Sequence, residues 1–103
     1  MKIIIRRNAE TALYAAEELK KYIEMVDSEV KCEITEDKTA EGIHLGLLCD
    51  FGLDESDVSD AMIDDVVDAK VDSLKGYIAG SNVRSILFGV YKYLKSAGLV
   101  HIE

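Results

Sequence analysis

The 103-residue chain has no proline and no stretch rich in serine and glycine. Those residues punctuate linkers and domain boundaries. Their scarcity, with no internal repeat and no low-complexity tract, predicts one compact unit over residues 1–103, and the length leaves no room for a second domain. Basic residues are also short, 12 against 20 acidic, for a net charge of −8. That balance repels phosphate backbones and anionic lipid surfaces, which argues against nucleic acid or a membrane as partner. No apolar run approaches the roughly 20 residues of a membrane span. The opening Met1-Lys2-Ile3-Ile4-Ile5-Arg6-Arg7 returns to charge after three apolar residues, too soon for a signal peptide. There are two cysteines, Cys32 and Cys49, each without a second cysteine or histidine at metal-ligand spacing. The expectation is two buried, unpaired thiols that react only after denaturation, with a disulfide as the rarer alternative.

What is present is a hydrophobic content of 49%, enough for a core without staples. Residues 2–7 read as a β-branched first strand, with Asn8 placed to cap a helix over Ala9 to Asp27. Within that helix Ala9, Ala12, Ala16, Leu19, Ile23 and Val26 recur at threes and fours, forming one stripe. Residues 29–36 alternate and predict a strand. A strand continues over Ile43, Leu45, Leu47 and Cys49, with His44, Gly46 and Leu48 on its other face, and its near-continuous apolarity predicts a central strand covered on both sides. Residues 50–65 predict either a short helix or a loop. Val67, Ala69 and Val71 alternate with Asp68, Lys70 and Asp72, and 75–80 supplies the hairpin partner across Ser73-Leu74. Ser81 or Asn82 caps a last helix with core positions Val83, Ile86, Leu87, Val90, Leu94 and Ala97. Gly98 suits the C′ position, and 99–102 predicts a final strand. The order β-α-β-β-(α)-β-β-α-β implies an α+β fold, a mixed sheet with two main helices packed on it.

Chemistry leaves little trace in the sequence. The densest acids, Asp54, Glu55, Asp57, Asp60, Asp64, Asp65 and Asp68, offer no privileged pair for acid–base work and no calcium-loop alternation, so a solvated acidic surface is expected. His44 lies among leucines and reads as a hydrogen-bonded structural histidine. Gly76 to Gly80 precedes a helix but lacks the lysine and glycine spacing of a phosphate loop, and no nucleophile elbow occurs. No catalytic residue, cofactor or metal site is expected.

One motif is specific. The stretch Gly76-Tyr77-Ile78-Ala79-Gly80-Ser81-Asn82-Val83-Arg84-Ser85-Ile86-Leu87-Phe88-Gly89-Val90-Tyr91-Lys92-Tyr93-Leu94 resembles the end of the N-terminal domain of family 67 α-glucuronidases and family 20 β-hexosaminidases. There a strand ending I-x-G-G leads into a helix reading R-G-x-L-Y-G-V-Y. The earlier helix around Ala12 to Ile23 and the strand Ile43 to Leu48 are similar to upstream elements of the same domain, so the resemblance spans nearly the whole chain. Ser81, Ser85 and Phe88 depart from that pattern, replacing glycine, glycine and tyrosine. The resemblance implies a non-catalytic accessory domain packing beside or supporting a carbohydrate-active (β/α)₈ barrel, in cis or in trans. Such a barrel needs roughly 250 residues, so catalysis would lie outside this chain. The alternative is a free-standing interaction or regulatory module of the same fold with no carbohydrate role. If the chain docks a partner, the candidate surface is the flank of the last helix formed by Arg84, Phe88 and Tyr91, neighbours at i, i+4 and i+7. Against it stands the expectation that the acidic segment 53–65 folds over that flank.

Overall fold

The computed structural model describes residues 1–56, 58–60, 62 and 64–98. The chain runs β1 (Lys2–Ile5), α1 (Glu10–Val26), β2 (Glu33–Thr35), β3 (Gly42–Leu47), a single 3₁₀ turn (Leu48–Phe51), β4 (Val67–Asp72), β5 (Lys75–Gly80) and α2 (Val83–Ser96). The five strands form one mixed sheet in the order β2-β1-β3-β5-β4. The β1–β2, β1–β3 and β3–β5 pairs are parallel, and the β4–β5 hairpin is antiparallel. Both helices lie side by side on one face. This is the α+β architecture expected from the element pattern, with β3 central, but both described helices pack on the same face, so β3 lacks the expected helical cover on its other side.

Strand alternation divides the sheet. Ile3, Ile5, Ile43, Leu45 and Ile78 point toward the helices and join Ala15, Ala16, Leu19, Ile23, Ile86, Val90 and Leu94 in one buried cluster. Their removal from water is the main stabilising term. Helix α2 reaches this cluster through small residues. Its buried positions are Ser85, Ile86, Gly89, Val90 and Leu94, so the inward arc turns toward Ser85 and Gly89 and away from the expected centre on Val83 and Leu87. Those two are only half-buried, and Ala97 is exposed. The reason is close approach: a Cβ on Gly89 would stand 2.7 Å from Cγ2 of Ile78, and one on Gly80 would stand 2.6 Å from Cβ of Ser85. A hydropathy pattern gives no weight to such contacts.

Several boundaries differ from expectation. Ala9 rather than Asn8 occupies the N-cap of α1, without a side-chain cap, and Val26 at the other end is exposed. The second strand shortens to Glu33–Thr35 because the preceding residues are held by side chains: Glu24 accepts from the Cys32 N–H at 2.8 Å and Asp27 from the Glu29 N–H at 3.1 Å. Strand β3 stops at Leu47, where Asp50 Oδ2 accepts the Leu47 N–H at 2.8 Å and draws the chain into the 3₁₀ turn. Cys49 therefore leaves the alternation and is exposed, while Cys32 is buried; both are free thiols. The expectation that both would be shielded fails at Cys49. Among the described residues of 54–65 there is no helix. The final strand expected at 99–102 lies outside the described residues, as does Asp57 of the acidic group. The β4–β5 hairpin turns at Ser73 and Leu74, both in the left-handed region with φ of 51° and 62°, as a two-residue turn of primed type requires.

Candidate functional site

Three regions concentrate side chains that could act on something else: the outer face of the helices, the N-terminus of α2, and the sheet face opposite the helices.

On the outer helical face the sequence singled out Arg84, Phe88 and Tyr91, and α2 carries all three. Phe88 is 47% exposed. It lies off the buried arc of α2, and the described residues of segment 53–65 leave it exposed. Tyr91 turns toward α1, where its hydroxyl donates to Glu18 Oε1 at 3.1 Å; Tyr14, also exposed, donates to the same oxygen at 2.7 Å. Burial, then the contacts with Tyr14 and Glu18, push the Tyr91 hydroxyl pKa well above that of a free tyrosine. The other oxygen, Glu18 Oε2, is shielded from solvent with no hydrogen-bond partner among the described residues. The helical side thus sets Tyr91 and Tyr14 on a half-satisfied carboxylate, with Phe88 exposed on the same helix as Tyr91.

Arg84 behaves differently. Its Nε donates to Asp65 Oδ1 at 3.0 Å and its Nη2 to the Met62 carbonyl at 3.3 Å. The acidic segment therefore does reach this flank, at Arg84. Around it the serines that depart from the family pattern build a knot. Ser85 Oγ donates to Asp65 Oδ1 at 2.8 Å, Ser81 Oγ bonds the Asp64 carbonyl, and the Val66 N–H donates to Ser81 Oγ at 2.9 Å. Of the two candidates, Ser81 and Asn82, it is Asn82 that caps α2, accepting the Ser85 N–H at 2.8 Å. The hydrogen bonds from Arg84 and Ser85 hold the Asp65 carboxyl below the usual carboxylate range. These serines fasten the acidic segment to the helix N-terminus, a role glycine cannot fill.

The sheet face opposite the helices carries the region the sequence did not reveal. Arg6 (end of β1), His44 (β3), Tyr77 (β5) and Phe51 (3₁₀ turn) come together there. Phe51 and Tyr77 stack with ring centres 5.0 Å apart, and the Arg6 guanidinium lies 5.1 Å from the centre of the Phe51 ring. Arg6 Nε donates to His44 Nδ1 at 2.9 Å. Because a guanidinium does not give up its proton, Nδ1 is the acceptor and Nε2 carries hydrogen, which it donates to the Ala40 carbonyl at 2.9 Å. Burial lowers the His44 pKa, helped by the Arg6 charge and opposed by the Ala40 bond. His44 is thus a neutral imidazole with both nitrogens used, as the structural reading expected. Beside it Arg7 grips Asp50 at 2.7 and 3.0 Å. Burial pushes the Asp50 carboxyl up, but the bonds from Arg7 and the Leu47 N–H, with the Arg7 and Arg6 charges, outweigh it and leave the pKa low. The cluster was invisible in sequence because its members come from four separated elements and none belongs to a motif.

No group of three or more histidine, cysteine, aspartate or glutamate side chains gathers in metal-binding geometry among the described residues, and no described helix is long and apolar enough to cross a membrane. No family model matches the sequence, and no curated protein matches it. Its fold, however, is shared with a solved structure described as a "GH138 enzyme targeting pectin rhamnogalacturonan II", at a TM-score of 0.61 and 19% sequence identity. The likeness covers 94% of this chain and 13% of that one. The chain therefore has the fold of a small region within a much larger glycoside hydrolase.

Proposed function

We propose that the chain is a non-catalytic accessory domain of a carbohydrate-active protein, packing beside or supporting a catalytic barrel in cis or in trans. The observation that carries this reading is the shared fold: 94% of the chain corresponds to 13% of an enzyme that targets pectin. The motif at Gly76 to Leu94 points the same way and favours the N-terminal domains of family 67 α-glucuronidases and family 20 β-hexosaminidases as relatives. The state of the polar groups fits a domain without chemistry of its own. His44 has both ring nitrogens engaged, and the Asp50 and Asp65 carboxyls are held ionised by arginines. General acid–base catalysis needs a group with a free proton site and a pKa near the working pH. The face offered to the barrel is the helical one. Phe88 and Tyr14 are exposed there, and the orphaned Glu18 oxygen carries an unmet cost that a changed environment on docking could relieve.

Two measurements test this. The open reading frame encoding these residues, or its immediate neighbour, should also encode a carbohydrate-active barrel, and Phe88→Asp should weaken association between the separately expressed domain and that barrel. The purified chain should not hydrolyse aryl glycosides or glucuronides above a heat-treated control. Turnover lost on mutating one carboxylate would overturn the accessory reading. A frame and neighbourhood without any barrel would favour the free-standing interaction module.

A further inference from the structure

Strand β4 closes one side of the sheet, and among the described residues no strand pairs with its outer edge. Which groups that edge offers follows from the hairpin. At one end the Ser81 N–H donates to the Val66 carbonyl at 2.9 Å. Further along, the Lys70 carbonyl faces β5, since a Cβ on Gly76 would collide with its oxygen. At the other end Asp72 stands opposite Lys75 across the two-residue turn, the place of a hydrogen-bonded pair in such a hairpin. Val66, Lys70 and Asp72, and with them Asp68, therefore spend their backbone groups on β5. Val67, Ala69 and Val71 turn theirs outward. The side chains of these three lie on the helical face, yet α2 covers them incompletely: Val67 and Val71 are half-buried and Ala69 is exposed. They border an open cleft of about 630 Å³ whose other wall is α2, at Gly89, Tyr93 and Ala97. Asp68 and Lys70 alternate with them on the opposite face. Among the described residues Lys70 forms no ion pair, and Asp68 receives only a long bond from the Tyr77 hydroxyl, at 3.4 Å.

We propose that this edge is a homodimer interface, on which β4 of a second copy pairs antiparallel about a two-fold axis at Ala69. In that register Val67 stands opposite Val71 of the second copy, Ala69 opposite Ala69, and Val71 opposite Val67. All three turn their backbone groups outward on both strands, so each pair exchanges two hydrogen bonds. The intervening pairs set Asp68 opposite Lys70 of the second copy, and Lys70 opposite its Asp68. These are the non-bonded positions, where side chains stand closest and opposite charges attract across the strands. The charge pattern selects the register. An axis at Lys70 would oppose Lys70 to Lys70 and Asp68 to Asp72, like charges on like. An axis at Val71 would keep opposite charges but set Ala69 against Ser73, which lies in the turn, and so lose bonded pairs. A slip of one residue would set outward backbone groups against inward ones and mismatch the faces. Because the axis stands perpendicular to the sheet, both α2 helices come to lie on one face. The two clefts then join over Val67, Ala69 and Val71 and remove apolar surface from water. A mid-strand lysine ordinarily guards an edge against pairing; here a second copy answers it with an acid. The inference stands independently of any carbohydrate role.

The test is sedimentation equilibrium of the full chain, with amide hydrogen exchange followed by NMR. The wild-type chain should show a monomer–dimer equilibrium at concentrations below about 1 mM. Exchange of the Val67, Ala69 and Val71 amides should slow as the dimer forms. Lys70→Glu and Asp68→Lys each oppose like charges twice in the dimer, and each should weaken self-association at least about tenfold. Mixing the two variants should restore a dimer, because every altered charge then meets its opposite. The exchange measurement uses the wild-type chain, so it decides the matter even if a variant fails to fold. A chain still monomeric at about 1 mM would overturn the proposal, including one whose edge amides are protected by another part of the same chain. A dimer whose Val67, Ala69 and Val71 amides exchange as fast as in the monomer would put the interface elsewhere and overturn it. Undiminished association in either single variant, or a mixture no tighter than its components, would remove the Asp68–Lys70 register and overturn it as well.

Discussion

The two faces of the sheet are built from alternate residues of the same strands and have opposite characters. Toward the helices stand Ile3, Ile5, Ile43, Leu45 and Ile78, all buried. Toward the other side stand Lys2, Arg6, Thr35, His44, Tyr77, Asp68 and Lys70, none of them fully buried. Ile4 and Ala79 are exceptions, both buried, Ile4 in register with Thr35 and His44 and Ala79 with Asp68. The first face holds the fold together by area removed from water. The second is supported by that packing without contributing much to it, and so can carry an arginine held against a histidine and an aromatic ring and a histidine engaged at both nitrogens. The same contrast recurs between the two sides of α2, where Ser85 and Gly89 are pressed against the sheet and Phe88 faces solvent.

Replacing neighbours on β5 is the sharpest way to break that comparison. Ile78→Ala removes a fully buried side chain and should cost about 3 kcal/mol, within the range for cavity-forming core substitutions. Tyr77→Ala, one residue away on the other face, should cost less than half as much. Equal losses in denaturant melts would show that both faces contribute alike. Phe88→Ala should cost under about 1 kcal/mol, because a ring 47% exposed has little burial to lose; a core phenylalanine would cost about 3–5. The larger loss would remove Phe88 from the docking surface.

A smaller effect distinguishes the polar face by pH. Arg6, Lys75, Glu41 and Tyr77 surround His44 on that face, and the folded pKa of His44 lies below its unfolded value of about 6.5. Protons therefore bind the unfolded chain more readily. The stability tied to neutral His44 is present above pH about 6.5 and is lost as pH falls through the lower folded pKa. Melts between pH 7.5 and about 5 should show this decline, and His44→Gln should flatten it. An unchanged slope in the variant would separate His44 from the acid response. The least demanding measurement concerns the thiols. Cys49 is exposed and Cys32 buried, and burial followed by the Glu24 charge raises the Cys32 pKa. Alkylation of the native protein should tag Cys49 alone, with Cys32 modified only after denaturation. Equal tagging by mass spectrometry would contradict the burial difference.

Where local pattern and tertiary contact agree, the sequence was readable. The apolar spacing of Ala12, Ala16, Leu19 and Ile23 defined the buried side of α1, and the alternation of 67–72 with its partner 75–80 defined the hairpin. The cap of α2 was narrowed to Ser81 or Asn82, of which the structure uses Asn82, and the motif from Gly76 to Leu94 carried the likeness to a glycoside hydrolase domain. Where a distant side chain intervened, the reading failed. Cys49 continues an apolar alternation, yet Asp50 captures the Leu47 N–H and ends the strand. Ser85 and Gly89 carry no hydrophobic signal, yet they are where α2 meets the sheet.

The sequence by itself determined the elements, the α+β class and the separation of a buried from a solvated side of each element, because these follow from periods of two and 3.6 residues that operate over a few positions. The tertiary structure alone decided the order β2-β1-β3-β5-β4 and which polar residues meet. Parallel pairing places β1 between β2 and β3, and β3 beside β5. It thereby brings Arg6 to His44, 38 positions away, and Phe51 to Tyr77. No periodicity records such a meeting, since strand order is set by long-range packing and not by the neighbours of any one residue.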